Sequence, residues 1–503
     1  MRFEGAPVRS TLDVSNAELE TMSRALLDAG HRLALVAAHD DGESLRIVYV
    51  FARGAPDTRT ELVVRVDARE PRVASLAAHS FAASRFEREM SDLFGIEPLG
   101  HPQPRRLVLH QHWPEGWHPM RRTAGEAPPM VSDAGEYPFL VVEGTGVYEI
   151  PVGPVHAGLI EPGHFRFSAV GETILRMKAR LWFVHKGIER LMQAKSIEEG
   201  LAIAERISGD SAVGHSTAYL QAVEEALGMT ISAEDARVRA ALLEMERLYN
   251  HVGDLGALCN DVGYSIANSR ALSIREGLLR LNQEITGHRL LRGAVVLGGS
   301  RARRLASVQE LAQLTEEVDR LTSNVRSNAL VRDRFAGTAV LSRSDAEQMG
   351  ALGVVARASG LGIDARLAHP SVTLPEAFRI SRSNGGDVLA RFDVRVQEVA
   401  SSLELLKAWS GVDLSTHREV DARAMVRIRS DARASGLGIV EGWRGTIVHR
   451  VELDDDGRLS RVKIVDPSFF NWPALAISLA DTIVPDFPLV NKSFNLSYAG
   501  NDL

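Results

Sequence analysis

The chain has 503 residues, of which 45% are hydrophobic and 24% charged, so it reads as an ordinary globular protein of about two to four domains with ample core. Its formal charge of −7 argues against nucleic acid as a partner, since nucleic-acid-binding domains are usually basic. The single cysteine, Cys259, excludes an internal disulfide framework, and no apolar run approaches the roughly 18 residues of a membrane span. The N-terminus, Met-Arg-Phe-Glu-Gly-Ala-Pro, has no apolar h-region, so no secretory signal is expected and the chain reads as cytoplasmic.

In chain order, residues 1–122 predict a small α+β domain. Arg32–Ala38 and Leu45–Ala52 are β-rich runs on either side of the turn His39-Asp-Asp-Gly42, which predicts a hairpin. Glu61–Val66 predicts a third strand and Ala82–Leu93 a helix. Residues 123–145 fall in a stretch rich in glycine, proline and polar residues and are expected to be a linker. A short β region over Phe139–Phe167 and a long helical tract follow. Ser232-Ala-Glu-Asp235 has the form of a capping box, and the apolar positions behind it recur with a helical period through Leu255. Val308–Leu330 and Asp387–Trp409 predict further helices. Gly438–Val465 predicts a β return, with Asp454-Asp-Asp-Gly457 as its turn.

The most informative string is Glu205-Arg-Ile-Ser-Gly-Asp-Ser-Ala-Val-Gly-His215. It resembles the first metal-binding motif of [NiFe]-hydrogenase large subunits, C-x-x-C-x-x-x-H, with serine at both cysteine positions (Ser208 and Ser211) and the histidine kept at His215. The second motif of that family, D-P-C-x-x-C-T-D-R, aligns with Asn495-Leu-Ser-Tyr-Ala-Gly-Asn-Asp-Leu503, where Ser497 and Gly500 replace the cysteines. Asp466-Pro-Ser-Phe lies on the wrong side of Asn471-Trp-Pro to be that motif. No histidine-ended extension follows Leu503. A nickel–iron centre needs soft thiolates that ionise readily, and a serine hydroxyl stays protonated near neutral pH. No metal site is therefore expected in this chain.

Further motifs extend the resemblance. Arg85-Phe-Glu-Arg-Glu-Met-Ser-Asp-Leu-Phe-Gly-Ile96, with Gly100-His-Pro-Gln-Pro-Arg-Arg-Leu107 and His118-Pro-Met-Arg-Arg122, is similar to the 30 kDa family of respiratory complex I, where the segment is docking surface. From about Val152 onward, Gly153-Pro-Val-His156, Glu161-Pro-Gly-His-Phe-Arg166, Val184-His-Lys-Gly-Ile-Glu189, Leu243-Glu-Met-Glu-Arg-Leu248 and Arg357-Ala-Ser-Gly360 resemble the 49 kDa family of complex I. They resemble still more closely the large subunit of group 4 hydrogenases of the formate hydrogenlyase type. The resemblance implies an α+β domain over 1–122 and a mainly helical hydrogenase-large-subunit-like domain with small β regions over 146–503.

It also implies where function lies. Glu161 matches the glutamate that moves protons beside the hydrogenase metal, or else caps a helix or pairs with Arg166 or Arg206. Where complex I uses a histidine and a tyrosine to hold the quinone head group, this chain has Glu161 and Gly209. His215 is read as a structural histidine on the first turns of a helix. Arg357, Asp364 and Arg366 either line the former active-site cavity or merely hold their loop. His251 falls where relatives place a histidine beside the terminal iron–sulfur cluster of a neighbouring subunit, or is a simple interface histidine. Glu161, His215, Arg357 and Asp364 are the residues expected to line the cavity.

The expected partners are a small iron–sulfur subunit, a ferredoxin-like subunit and membrane antiporter-like subunits, with the chain peripheral on the cytoplasmic side of the cell membrane. It would bind no cofactor of its own, and a quinone is the acceptor that complex I suggests. The competing readings are a redox-inactive scaffold and, against the missing cysteines, a nickel hydrogenase. No G-x-G-x-x-G or Walker pattern points to a nucleotide.

Overall fold

A computed structural model describes residues 8–135, 137–158, 160–411, 414 and 434–503. The N-terminal stretch that lacks an apolar h-region lies outside this range. The chain opens with β1 (Val8–Asp13), α1 (Leu19–Asp28), β2 (Arg32–Asp40), β3 (Ser44–Arg53) and β4 (Thr58–Asp67). They form one sheet in the order β1-β4-β3-β2, in which β1 runs parallel to β4 and the other pairs are antiparallel. β2–β3 is the hairpin expected from the sequence, with its strands extended outward from the runs read there. Leu33–Ala38 is apolar without alternation, and all six residues are buried. One face of β2 meets α2 (Phe81–Phe94) and the other meets strands of the second domain, and a strand covered on both sides has no polar face to show. Ser80 caps α2 by accepting the Ala83 N–H, and Gly95 ends it in the left-handed region at φ 72°.

Between β6 (Glu97–Leu99), which pairs with β5 (Arg72–Ala74), and β7 (Val147–Val152), the described residues form no regular element. β7, β8 (His164–Val170) and β9 (Thr173–Arg180) make an antiparallel sheet, so the β region runs further than the sequence suggested. Short helices α3 (Ile188–Met192) and α4 (Ile197–Ala204) lead to α5 (Ala212–Leu227). The long α6 (Ala233–Asp261) starts at Ser232, whose hydroxyl accepts the Asp235 N–H at 3.0 Å, and turns back into α7 (Ser265–Thr286). Cys259 is buried on α6, where loss of water pushes its thiol up to about 12. The predicted helix from Val308 divides into α8 (Val308–Ser327) and α9 (Ala329–Phe335), because Asn328 leaves helical geometry and accepts the Val331 N–H.

After β10 (Val295–Val296) and β11 (Gly299–Ser300), short helices α10 (Arg343–Gln348), α11 (Gly353–Ala358) and α12 (Ala365–Ala368) precede α13 (Val388–Trp409), which packs on α6. Strands β12 (Ser435–Gly442), β13 (Gly445–Leu453) and β14 (Leu459–Val465) form the expected antiparallel return. The chain then runs through α14 (Pro467–Ser478), α15 (Phe487–Phe494) and α16 (Tyr498–Asp502). α5 lies directly on β12. A Cβ at Gly438 would stand 1.8 Å from the Ala218 carbonyl oxygen, and one at Gly436 would stand 1.9 Å from that of Ala222, so only glycine permits this approach. Among the described residues no helix is long and apolar enough to cross a membrane.

The two domains meet across a buried ionic seam. Glu452 on β13 accepts both guanidinium N–H groups of Arg46 on β3, at 2.8 and 2.9 Å, and a third bond from Arg450 at 2.7 Å. Arg450 in turn forms a bidentate pair with Glu61 on β4, which also accepts from Arg9.

Candidate functional site where the two serine motifs meet

The fold brings both motif ends together. Ser208 lies just before α5 and Ser497 caps α16, and their hydroxyl oxygens are 2.9 Å apart although 289 residues separate them. Ser497 also accepts the Gly500 N–H at 2.8 Å, and Ser208 donates to the Asp210 carboxylate at 2.8 Å. Arg444, in the turn between β12 and β13, grips Asp210 with two N–H bonds of 2.7 and 2.6 Å and lies over the Trp443 ring. Ser211 accepts from the Trp443 indole N–H at 3.1 Å. The four motif positions thus present three hydroxyls and a bare Cα, beside a guanidinium. A Cβ at Gly500 would come within 2.6–3.0 Å of the Asp466 carboxylate. Among the described residues no group of three or more His, Cys, Asp or Glu side chains could hold a metal ion.

His215, on the first turn of α5, is completely buried in a chain of three groups. One ring nitrogen, Nδ1, lies 3.0 Å from His449 Nε2, and the other, Nε2, lies 3.2 Å from Asp466 Oδ2. Asp466 caps α14 through the Ser468 N–H. Burial pushes its carboxyl up, but His215 and Arg444 outweigh that and hold it below the usual range. Burial keeps His449 far below the ordinary histidine value, so it is neutral, and its Nδ1 has no hydrogen-bond partner among the described residues. Next to this chain, Glu246 of α6 accepts the Val213 and Gly214 N–H groups, yet burial pushes it up to about 8.

The folded value of Glu246 exceeds the unfolded one, so its contribution to stability is complete below about pH 4.3 and is lost as pH rises toward 8. Chemical denaturation between pH 5 and 8 should therefore show stability declining by at most about 1.4 kcal/mol per pH unit from this group. Glu246→Gln should flatten that slope; an unchanged slope would assign the proton elsewhere.

Glu161 is exposed. Its carboxylate accepts the Ala499 N–H at 2.9 Å, in the first turn of α16 between Ser497 and Gly500. It pairs with neither Arg166, which reaches Glu149, nor Arg206, which bonds the Ala202 carbonyl. Of the two local contacts expected on sequence, a helix start or an arginine, the helix start is the one observed, and it sets Glu161 at the edge of the serine cluster.

Arg357 and Asp364 stand in a second network. Arg357, wholly buried on α11, contacts Glu398 of α13 at 2.6 Å, Glu441 of β12 at 2.7 Å and Asp364 at 3.6 Å. Asp364 caps α12 and pairs with Arg366, which reaches Glu244 of α6. Glu244 and Glu398 both meet Arg247. Four buried carboxylates (Glu244, Asp364, Glu398 and Glu441) thus face three guanidiniums. Burial raises Glu398, but Arg357 and His251 hold it far below its ordinary value; Glu441 is raised by burial and by nearby Asp364. His251 joins this network through Glu398 at 2.8 Å, and it meets the Trp443 ring edge-on at 5.9 Å. Trp443 is therefore the side chain between the two networks.

Asp466, His449, Arg444, Glu398 and Glu441 were not singled out on sequence as site residues. Asp466 alone had a visible signal, as the first residue of the string set aside on motif order.

A fused layout, a 49 kDa-type helical body and a site built from one segment before α5 and another at α16 together define a large subunit of the complex I and hydrogenase type. Residues 12–127 match the family model of the respiratory-chain NADH dehydrogenase 30 Kd subunit, and residues 261–427 that of its 49 Kd subunit. Formate hydrogenlyase subunit 5 of Escherichia coli is 31% identical over 87% of this chain and 78% of its own length. The C/D subunit of the NADH-quinone oxidoreductase of Phocaeicola vulgatus is 29% identical over 73% of this chain and 75% of its own. One chain in the structure of the membrane-bound sulfane sulfur reductase, an archaeal respiratory membrane complex, superposes with a TM-score of 0.62 at 24% identity, over 71% of this chain and 99% of that one. The chain belongs to the family of fused 30 kDa–49 kDa-type subunits that includes formate hydrogenlyase subunit 5 and the C/D subunit of NADH-quinone oxidoreductase.

Proposed function

We propose that this chain is the peripheral large subunit of a membrane-associated electron-transfer complex and carries no nickel–iron centre. The observation behind this reading is the serine cluster. Where four thiolates would hold the metal, Ser208 and Ser497 bond to each other, Ser211 accepts from Trp443, and Gly500 leaves no room for a side chain against Asp466. Arg444, in its ion pair with Asp210, sits among them and also reaches the Ser211 hydroxyl. In this reading electrons come from an iron–sulfur cluster of a small partner subunit beside His251, fed through a ferredoxin-like subunit, and antiporter-like subunits lie in the membrane. A quinone is the acceptor. With Glu161 and Gly209 in place of the histidine and tyrosine of complex I, it is held by a different set of contacts.

Protons for that reduction would pass by Glu161 and the Asp466–His215–His449 chain. Glu161 is exposed, so Glu161→Gln should leave assembly intact while lowering quinone reduction by the purified complex at least about ten-fold. Unchanged turnover would favour the second reading, a redox-inactive scaffold. That reading rests on Arg357 and Asp364, which are buried and paired as structural groups are.

A further inference from the structure

Buried arginines in this fold commonly rest on carboxylates, as Arg357, Arg444 and Arg450 do. The region between α2 and the loop after β6 departs from that pattern. Arg88 on α2 donates to the Arg105 and Arg106 carbonyls at 2.7 and 3.0 Å. Arg106 donates to the carbonyls of His110, Trp113 and Pro114 at 3.3, 2.7 and 3.2 Å. Arg105 reaches the Pro138 carbonyl at 3.3 Å, and Arg180, behind them, reaches those of Leu107 and Leu109. Among the described residues these four guanidiniums bond to neutral carbonyls and to no carboxylate. Carbonyls fix the position of a cation without cancelling its charge, so cations gathered in this way repel one another until an anion joins them. Burial draws the Arg88 guanidinium below its ordinary range, and Arg105 adds to that.

Arg88, Arg105 and Arg106 line a cavity of about 140 Å³, together with Ser91, Asp92 and His118. Organic ligands need about 300–1,000 Å³, so this space suits one compact ion. Guanidinium forks present paired N–H groups that match the oxygens of an oxyanion. Asp92 is the one carboxylate of the wall. Its Oδ2 accepts the Leu107, Val108 and Leu109 N–H groups at 2.8, 2.7 and 3.1 Å, while its Oδ1 has no bond among the described residues. Three guanidiniums facing one carboxylate leave two positive charges unmatched. A tetrahedral dianion cancels both, and one that keeps an O–H can donate it to Asp92. Hydrogenphosphate has both properties. Sulfate and a phosphate monoester dianion have the charge and lack the proton.

We propose that this cavity binds inorganic phosphate as the hydrogenphosphate dianion, with Arg88, Arg105 and Arg106 meeting its oxygens and Asp92 accepting its O–H. Bound phosphate would tie the loop after β6 to α2. The site is independent of the electron acceptor, because it involves no redox step.

The test is calorimetric titration of the full chain, and of the complex isolated from membranes, at pH 8 with inorganic phosphate, sulfate and glycerol 3-phosphate. Saturable binding of phosphate at one site per chain is expected, at least about ten-fold tighter than that of either competitor, with a rise in melting temperature. Arg105 is exposed, so Arg105→Gln should weaken phosphate about ten-fold without lowering the melting temperature in phosphate-free buffer. Arg326→Gln, which removes a cation from another surface, should leave the affinity unchanged. Phosphate binding that is absent, or that is unmoved by Arg105→Gln, would overturn the proposal. Equal affinity for sulfate or glycerol 3-phosphate would do so too, as would equal weakening by Arg326→Gln. Binding by the isolated chain that vanishes in the complex would also overturn it, since an acidic group of a neighbouring subunit would then be the occupant.

Discussion

Arg357→Met should lower the unfolding free energy by about 3–5 kcal/mol, the cost of stripping a partner from a buried ion pair. Arg357 has no exposed surface and is the cation that Glu398, Glu441 and Asp364 share. Removing it leaves four buried carboxylates facing only Arg247 and Arg366. The expected response of the protein is to take up protons, so the loss should be largest at high pH and should shrink as pH falls through the carboxylate range. Adding Glu441→Gln to Arg357→Met should return part of the stability, since it removes one of the orphaned charges. Arg326→Ala supplies the contrast: its pair with Asp393 is about half exposed and should be worth less than about 1 kcal/mol. A loss at Arg357 no larger than at Arg326 would mean that the network contributes little to stability.

The second large effect is at the seam between domains. Glu452→Ala should cost about 3–5 kcal/mol, because Arg46 and Arg450 would both lose their shared carboxylate in a largely buried place. The two arginines come from different domains, so the loss should fall on their docking. Limited proteolysis should then release residues 1–122 as a fragment, which the wild type would not do. The carboxyl of Glu452 is raised by burial, but His39, Arg46 and Arg450 hold it far below the glutamate range. Its stabilisation is therefore complete above about pH 4.3 and disappears only on strong acidification. Wild-type stability that fell already between pH 6 and 5 would not come from this group.

The regular elements that could be read came from local pattern. The apolar runs of β2 to β4, the cap at Ser232 and the turn at Asp454 each carry a signal within a few residues. β1 and α1 were not read, and both are weakly marked: every residue of β1 except the half-buried Arg9 is exposed, and α1 buries only Leu19 and Ser23. The two serine motifs could be found because each keeps its spacing. Their partners could not. His215 meets Asp466 across 251 positions and Arg357 meets Glu441 across 84, and nothing in a local window announces such a pair. Arg444 and Glu398 read as ordinary charged residues until the fold buries them among opposite charges.

The absence of a nickel–iron centre is the claim on which the functional reading turns. The direct measurement is elemental analysis of the native complex, isolated from membranes through a tag on this chain. Iron from the partner subunits is expected, with nickel well below one atom per chain. Stoichiometric nickel would contradict it, and would mean that Ser208, Ser211, Ser497 and Gly500 do not mark the positions of lost ligands.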